Sequence, residues 1–319
     1  MNLKNEYNSL IVTVRSAGER TEVACIRSIV SEGIGQEQIH IVKEAPFKKA
    51  LEMCFTIAIE SDAKWLLTLD ADMILLPDTL QKFLTEAEKI PANYLQIQAK
   101  ILDKIFGDSR KGGPRLYRVE HLKKALTISQ SLKDHIRPES NIINRMGSEG
   151  YPSRYMSPVI ALHDFEQYHR DIYRKACVHA VKHLSKLPEI LEQVVRYQQA
   201  DEDYRVILKG IYDSISLNME GMIDYREYSK EAAAALSQMK INEKSDMPES
   251  IDIQKVLEIY SVEKEEVNFI NVMYKDVPSN RIDGIKESLR QKGVLSTLSS
   301  YAGSFLSKLG AKVSKIGSK

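Results

Sequence analysis

The sequence predicts an α/β protein, a mixed and partly parallel sheet with helices between its strands, followed by an α-helical C-terminal region and an amphipathic tail. Three observations predict it. Short β-branched or apolar runs alternate with stretches of helical spacing along the first third of the chain. One of these runs, Trp65-Leu66-Leu67-Thr68-Leu69-Asp70-Ala71-Asp72-Met73-Ile74-Leu75-Leu76, is almost continuously apolar, as a parallel strand covered on both faces must be. Beyond Asp164 the strand signals stop and helical periodicity takes over.

The elements follow in order. Ser9 to Val14 is a short β-branched strand, Glu19 to Glu32 a helix, Ile39 to Val42 a second strand and Lys48 to Ser61 a second helix. The strand from Trp65 comes next. This alternation with short links implies right-handed crossovers and parallel pairing, with Asp70 and Asp72 at the carboxyl edge beside the loops after Val14 and Val42. Open α/β sheets bind their ligands at that edge. Pro77-Asp78 opens a helix from Thr79 to Lys89, and Tyr94 to Ile105 is a further strand. Gly107 to Gly113 reads as a mobile polar loop, Arg115 to Arg118 as a short strand, and a helix begins near Glu120. Met156 to Leu162 is strand-like. Tyr168 to Leu184, Pro188 to Gln199 and Tyr204 to Leu217 are helical by period, Ile241 to Ile253 is a turn-rich surface connection, and Lys255 to Val267 is another helix. The expected domains are 1–164, a sheet domain; 165–283, a helical region; and 284–319, a basic tail.

Composition sets the outer limits. With 319 residues, 43% hydrophobic and 28% charged, the chain has the make-up of a globular protein with one large domain and a smaller one. A net charge of +1 speaks against a nucleic-acid partner, since such domains carry a clear basic excess. Cys25, Cys54 and Cys177 are too few and too scattered for a disulfide framework, which fits a reducing cytoplasm. Met1 to Leu10 is polar, without a secretory signal, and no apolar run approaches the roughly 20 residues of a membrane span. The expected location is therefore cytoplasmic, with peripheral membrane contact through the tail. Between Gly293 and Lys319, Val294, Leu298, Tyr301, Phe305, Leu309 and Val313 fall on one helical stripe, with Lys308, Lys312, Lys315 and Lys319 alongside. Such a helix suits an anionic membrane surface first, and a dock on the protein's own core second.

Two aspartates one residue apart on a turning segment can both approach one side and hold a hard divalent cation, Mn2+ or Mg2+, through oxygen. Asp70 and Asp72 are the candidate ligands, and a cation there neutralises a phosphate leaving group. Lys49, at the start of the helix before this strand, is placed to meet phosphate or to be solvated. His179 and His183 have the spacing of a zinc pair but no accompanying glutamate motif, and read as helix-surface residues.

Trp65 to Leu76, with its LDAD core, resembles the DxD strand of the GT-A glycosyltransferases, especially those similar to family 2. The resemblance implies a Rossmann-like nucleotide-binding half before the motif and an acceptor half after it. In Ile39-His40-Ile41-Val42-Lys43-Glu44, it places Glu44 where the family has an aspartate that contacts base or ribose. Thr13-Val14-Arg15-Ser16 stands at the first strand's end, with Thr13 and Arg15 as donor-binding candidates, and Gly112-Gly113-Pro114-Arg115-Leu116-Tyr117-Arg118 resembles the segment that lines the acceptor side. Pro138-Glu139, then Arg145, Gly150-Tyr151-Pro152 and His163, repeat in order the family's acidic pair, arginine, glycine and histidine. The resemblance makes Glu139 the general base toward an acceptor hydroxyl and His163 a third metal or diphosphate ligand, with Asp164 as an adjacent alternative. Proline in place of the first acid leaves a retaining course open as well. The implied reaction moves a sugar from a nucleotide-sugar donor to a glycan, lipid-linked or protein acceptor. A DxD phosphohydrolase is disfavoured, because two βα units precede the motif here. A non-catalytic, membrane-associated binding protein of the same fold is the alternative.

Overall fold

Continuous apolar runs become the interior strands of a sheet. The computed structural model describes residue 7 and residues 9–106, 108–132, 137–183, 186–219 and 228–247. Its strands are β1 (Leu10–Arg15), β2 (Ile39–Val42), β3 (Trp65–Asp70), β4 (Met73–Leu75), β5 (Gln96–Asp103), β6 (Asp108–Arg118) and β7 (Ser153–His163). They form one seven-stranded sheet in the order β2-β1-β3-β6-β5-β7-β4. β1 pairs parallel with β2 and β3, β6 runs antiparallel to β3 and β5, β5 is parallel to β7, and β7 is antiparallel to β4. The mixed α/β class expected from the sequence is the class observed, and β1, buried throughout its LIVTVR run, has the doubly covered character that such runs imply.

Helices cover both faces of this sheet. α1 (Glu22–Ser31) and α3 (Leu80–Glu88) bring Cys25, Ile29, Leu80 and Phe83 against Val12, Val14, Leu67 and Leu69. On the other face α2 (Phe47–Ile59), α4 (Leu122–Ser131) and α5 (Pro138–Ser148) bring Leu51, Phe55, Leu122 and Ile142 against Ile11, Leu66 and Tyr117. Neighbouring strand residues thus serve opposite cores, as the two-residue period of a strand requires. Each fully buried leucine or phenylalanine contributes about 1.5–3 kcal/mol relative to exposure. α1 also serves α3 directly. Glu32 accepts hydrogen bonds from the backbone N–H groups of Asp78 at 2.7 Å and Leu80 at 2.8 Å, satisfying donors that the start of α3 leaves open.

Two expectations are corrected here. Most of the segment read as a mobile loop is the first half of β6, which forms a hairpin with β5 as far out as the Asp103–Asp108 pair. The single strand expected from Trp65 to Leu76 is two, interrupted at Ala71-Asp72. Strand β3 is third in the sheet and β4 seventh, yet three residues span at most about 11 Å. The sheet therefore curls until its far edge returns to the end of β3.

After β7 come α6 (His169–Lys182), α7 (Leu187–Tyr197), α8 (Glu202–Ser216) and α9 (Ser229–Met239). The described parts of the sheet and these helices belong to one compact unit. α6 and α8 approach closely at Gly210, where an added Cβ would lie 2.7 Å from the Tyr173 carbonyl oxygen and 2.9 Å from Ala176 Cβ. Lys104, after β5, is buried and ion-paired to Asp203 of α8, and Tyr204 donates to the Lys104 carbonyl oxygen at 2.8 Å. The stretch 241–247 has neither helix nor strand, as expected, and is strapped to α6 where His169 N–H donates to Glu243 at 2.6 Å. The expected helix Lys255 to Val267 and the basic tail lie outside the described residues. No described helix is long and apolar enough to cross a membrane. The three cysteines are free and buried.

Candidate metal and donor site at the carboxyl edge

The parallel strands β1, β2 and β3 end together, and the break between β3 and β4 puts Asp70 and Asp72 at that edge. Asp72 is nearly buried, with 9% of its side chain exposed, whereas Asp70 keeps 30%. Their carboxylates part company. Asp70 accepts from Arg15 Nε at 2.7 Å, across the register in which Arg15 and Asp70 are neighbours. Asp72 turns instead toward β7, where Met73 faces His163 in register and Asp164 N–H donates to the Asp72 carbonyl oxygen at 3.2 Å. Ligand atoms of Asp72, His163 and Asp164 all lie within 4.8 Å of one another. The expected metal set of Asp70, Asp72 and His163 is therefore not the set the fold assembles. Asp164, expected as an alternative to His163, joins both His163 and Asp72, while the Asp70 carboxylate pairs with Arg15.

His163 is oriented from behind. Its Nδ1 lies 2.8 Å from Asp103 Oδ2, on the strand paired to β7, and Asp103 also accepts from Arg110 Nε at 2.6 Å and from Phe106 N–H at 3.1 Å. A carboxylate on Nδ1 leaves Nε2 pointing at Asp72 Oδ1, 3.6 Å away and too far for a hydrogen bond. Metal-binding histidines are held in this way. Burial opposes a charged imidazole, but Asp164, Asp72 and Asp103 outweigh it and raise His163 to about 9. Asp72 Oδ1 and Asp164 Oδ2 are buried without a hydrogen bond and face the His163 ring at 3.6 and 3.3 Å, hard donors of the kind a divalent cation takes up. The residues present fit a metal once His163 gives up the proton that these carboxylates favour, since a cation there takes over the proton's place beside them. Asp164 holds its carboxylate there from a left-handed backbone, φ 65°, which aspartate tolerates better than most residues.

Glu139 does not stand free. α5 begins at Pro138, so Glu139 lies in its first turn and is 8% exposed. It accepts from Tyr117 Oη at 2.8 Å and pairs with Arg115, and Arg15 Nη1 is 3.4 Å away. Burial would push its carboxyl up, but Arg115 and Arg15 hold it below the usual carboxylate range. A carboxylate so engaged is a weak proton acceptor, which differs from the expected role as base. Arg15 itself lies under the Phe47 ring, 4.7 Å from its centroid, with both carboxylates for partners, so its charge is spent on Asp70 and Glu139 rather than held out to a ligand. Thr13 is fully buried within β1 and shares its face with Ile11, so it supports the strand and cannot touch a donor. Glu44 and Lys49 are exposed, one just after β2 and the other in the first turn of α2, where helix N–H groups favour anions.

The sequence reading missed three groups of this site. Asp103 became visible only through the β5–β7 pairing. Glu19, on the loop after β1, is pushed up to about 7 by burial and by Asp72. Lys175 of α6 reaches Asp72 and Asp164, although in sequence it is one basic residue on an amphipathic helix.

No family model matches the chain, and no curated protein does. Solved structures similar to it include glycosyltransferases and nucleotidyltransferases. A glycosyltransferase involved in the glycosylation of the major capsid of PBCV-1 is 12% identical, covering 48% of this chain and 92% of that one, with a TM-score of 0.34. The mannosyltransferase PcManGT from Pyrobaculum calidifontis, in complex with GDP-Man and Mn2+, is 10% identical over 73% of this chain and 86% of that one, with a TM-score of 0.35. The 4-diphosphocytidyl-2C-methyl-D-erythritol synthase from Anaerococcus prevotii is 8% identical, covering 49% and 90%, with a TM-score of 0.37. Scores of this size describe partial overlap of chain traces and transfer no residue role.

Proposed function

We propose that the protein is a metal-dependent glycosyltransferase that takes a sugar from a nucleotide-sugar donor to a glycan, lipid-linked or protein acceptor. The observation that carries this reading is the convergence of Asp72, His163 and Asp164 at the carboxyl edge of a parallel strand, with Asp103 fixing the imidazole. Asp72, Asp164 and His163 would hold the cation. Two carboxylates and one imidazole favour Mn2+, which accepts nitrogen more readily than Mg2+ does. When bound, the cation supplies positive charge against a departing diphosphate.

The chain's own residues supply the rest. Asp70, more open than Asp72 and steadied by Arg15, faces the donor side. Lys49 at the start of α2 meets phosphate, and Glu44 meets the base or ribose. Glu139 acts as a positioning residue: it fixes Arg15 and Arg115, and through Arg15 the aspartate at the end of β3. The LDAD strand and the order of Glu139 and His163 behind it, similar to the GT-A glycosyltransferases, support the same reading. The tail is proposed to hold the protein at an anionic membrane surface in the cytoplasm.

The test is turnover of a panel of nucleotide sugars with Mn2+ or Mg2+. Metal-dependent donor hydrolysis is expected, falling at least ~100-fold per folded molecule in Asp72→Asn, whose folded fraction is measured alongside because the change also removes a buried partner of Lys175. Folded wild-type protein that neither turns over nor binds any donor with either metal rejects the proposal.

A further inference from the structure

Lys175 projects from α6 into the same cluster. Its ammonium bridges Asp72 Oδ2 and Asp164 Oδ1, and only 14% of its side chain is exposed. The other oxygens of the same two carboxylates face His163: Asp72 Oδ1 lies 3.6 Å from Nε2, and Asp164 Oδ2 lies 3.3 Å from Nδ1. Each carboxylate therefore stands between a lysine and a histidine. An ammonium has three donors, so two carboxylates leave it one proton to offer elsewhere.

We propose that Lys175 is a resident cation that competes with a divalent ion for Asp72 and Asp164. The reasoning is electrostatic and follows from the shared ligands. Two carboxylates neutralised in part by a fixed positive charge attract a second cation less strongly than two bare ones, and in a buried site that repulsion is screened far less than in water. The divalent ion gains the full attraction of the pair only when the Lys175 side chain withdraws. An anionic ligand such as a diphosphate favours that exchange, because it adds negative charge for both cations to share. Lys175 thereby ties metal retention to the presence of a phosphate-bearing ligand, and the metal alone is held weakly.

This inference rests on the metal-site reading but not on sugar transfer, so its test uses neither donor nor acceptor. Free Mn2+ is followed by its electron paramagnetic resonance signal during titration of wild type, Lys175→Met and Lys175→Arg, with and without pyrophosphate. Lys175→Met is expected to bind Mn2+ alone at least ~10-fold more tightly than wild type, and pyrophosphate to strengthen binding in wild type much more than in this variant. Lys175→Arg, which keeps the charge, is expected to stay within about threefold of wild type. Equal or weaker binding by Lys175→Met overturns the inference and leaves the metal site standing. Absence of Mn2+ binding in all three, with or without pyrophosphate, overturns both. Should Lys175→Met be poorly folded without metal, the rise in melting temperature on adding Mn2+ is the second readout. A larger rise than in wild type is expected, and an equal or smaller one overturns the inference.

Discussion

Glu139 shows what a single side chain contributes when its partners come from far along the chain. Its neighbours Arg15 and Arg115 approach from β1 and β6, and its third partner is the Tyr117 hydroxyl. Removing one member of a buried ion pair leaves the others desolvated and uncompensated, at a cost of about 3–5 kcal/mol. Glu139→Gln is therefore expected to lower the melting temperature by several degrees, measured by circular dichroism. An unchanged melting point would show the pairs to be loose. Proline and an acid together mark a helix start, and α5 begins at this pair. The sequence could not show that the acid is occupied, because Arg15 lies 124 residues away. Asp72 and His163 were legible from residue type and position, whereas Arg15's hold on Asp70 required the β1–β3 register.

Among the elements, the contact of α6 with α8 depends on one missing methyl group. Gly210→Ala would press a Cβ into the Tyr173 carbonyl oxygen and Ala176. Cys177 donates to the Gly210 carbonyl oxygen at 3.3 Å and Ser214 to the Cys177 carbonyl oxygen at 3.1 Å, so the helices cannot separate without losing both bonds. The substitution is expected to destabilise by about 1–3 kcal/mol, as overpacking does, and denaturant unfolding measures it. Stability equal to wild type would mean that the helices slide apart freely. Strands with unbroken apolar character, such as β1 and β3, were readable because coverage on both faces demands it. Of β6 only Arg115 to Arg118 was readable, since Gly112 and Gly113 carry loop chemistry; in the fold Gly113, φ 65°, presses against Ile101 and Met73, where a Cβ would lie 2.6 Å from Ile101 Cγ2. α9 was overlooked although its run of alanines has high helix propensity.

For the molecule as a whole, several buried groups shift in a direction that makes acid the weak side. Burial, then Lys182, Arg137 and Arg110, bring His183 down to about 4, below its ordinary value near 6.5. The unfolded chain then binds the proton first. Stability from this residue is present above pH 6.5 and is lost as pH falls from there through 4. Asp203 is desolvated, but Lys104 holds it well below the carboxylate range, with help from His169 and Lys244. Its contribution is present above about pH 4 and drains away under stronger acid. Glu19, raised to about 7, acts in the opposite sense over the same range, so the His183 contribution is read by difference: the melting temperature of His183→Gln is expected to gain on wild type as pH falls from 6.5 toward 4. An identical slope in the variant would assign the acid limb to other groups. None of these shifts is written in the composition, since each depends on which charges the fold brings beside a buried group. The break between β3 and β4 has a mechanical meaning as well. Asp70 ends the interior strand β3 and Asp72 leads into the edge strand β4, so the two-residue break is a covalent tie between the middle of the sheet and its far edge, and it fixes how tightly the sheet must curl.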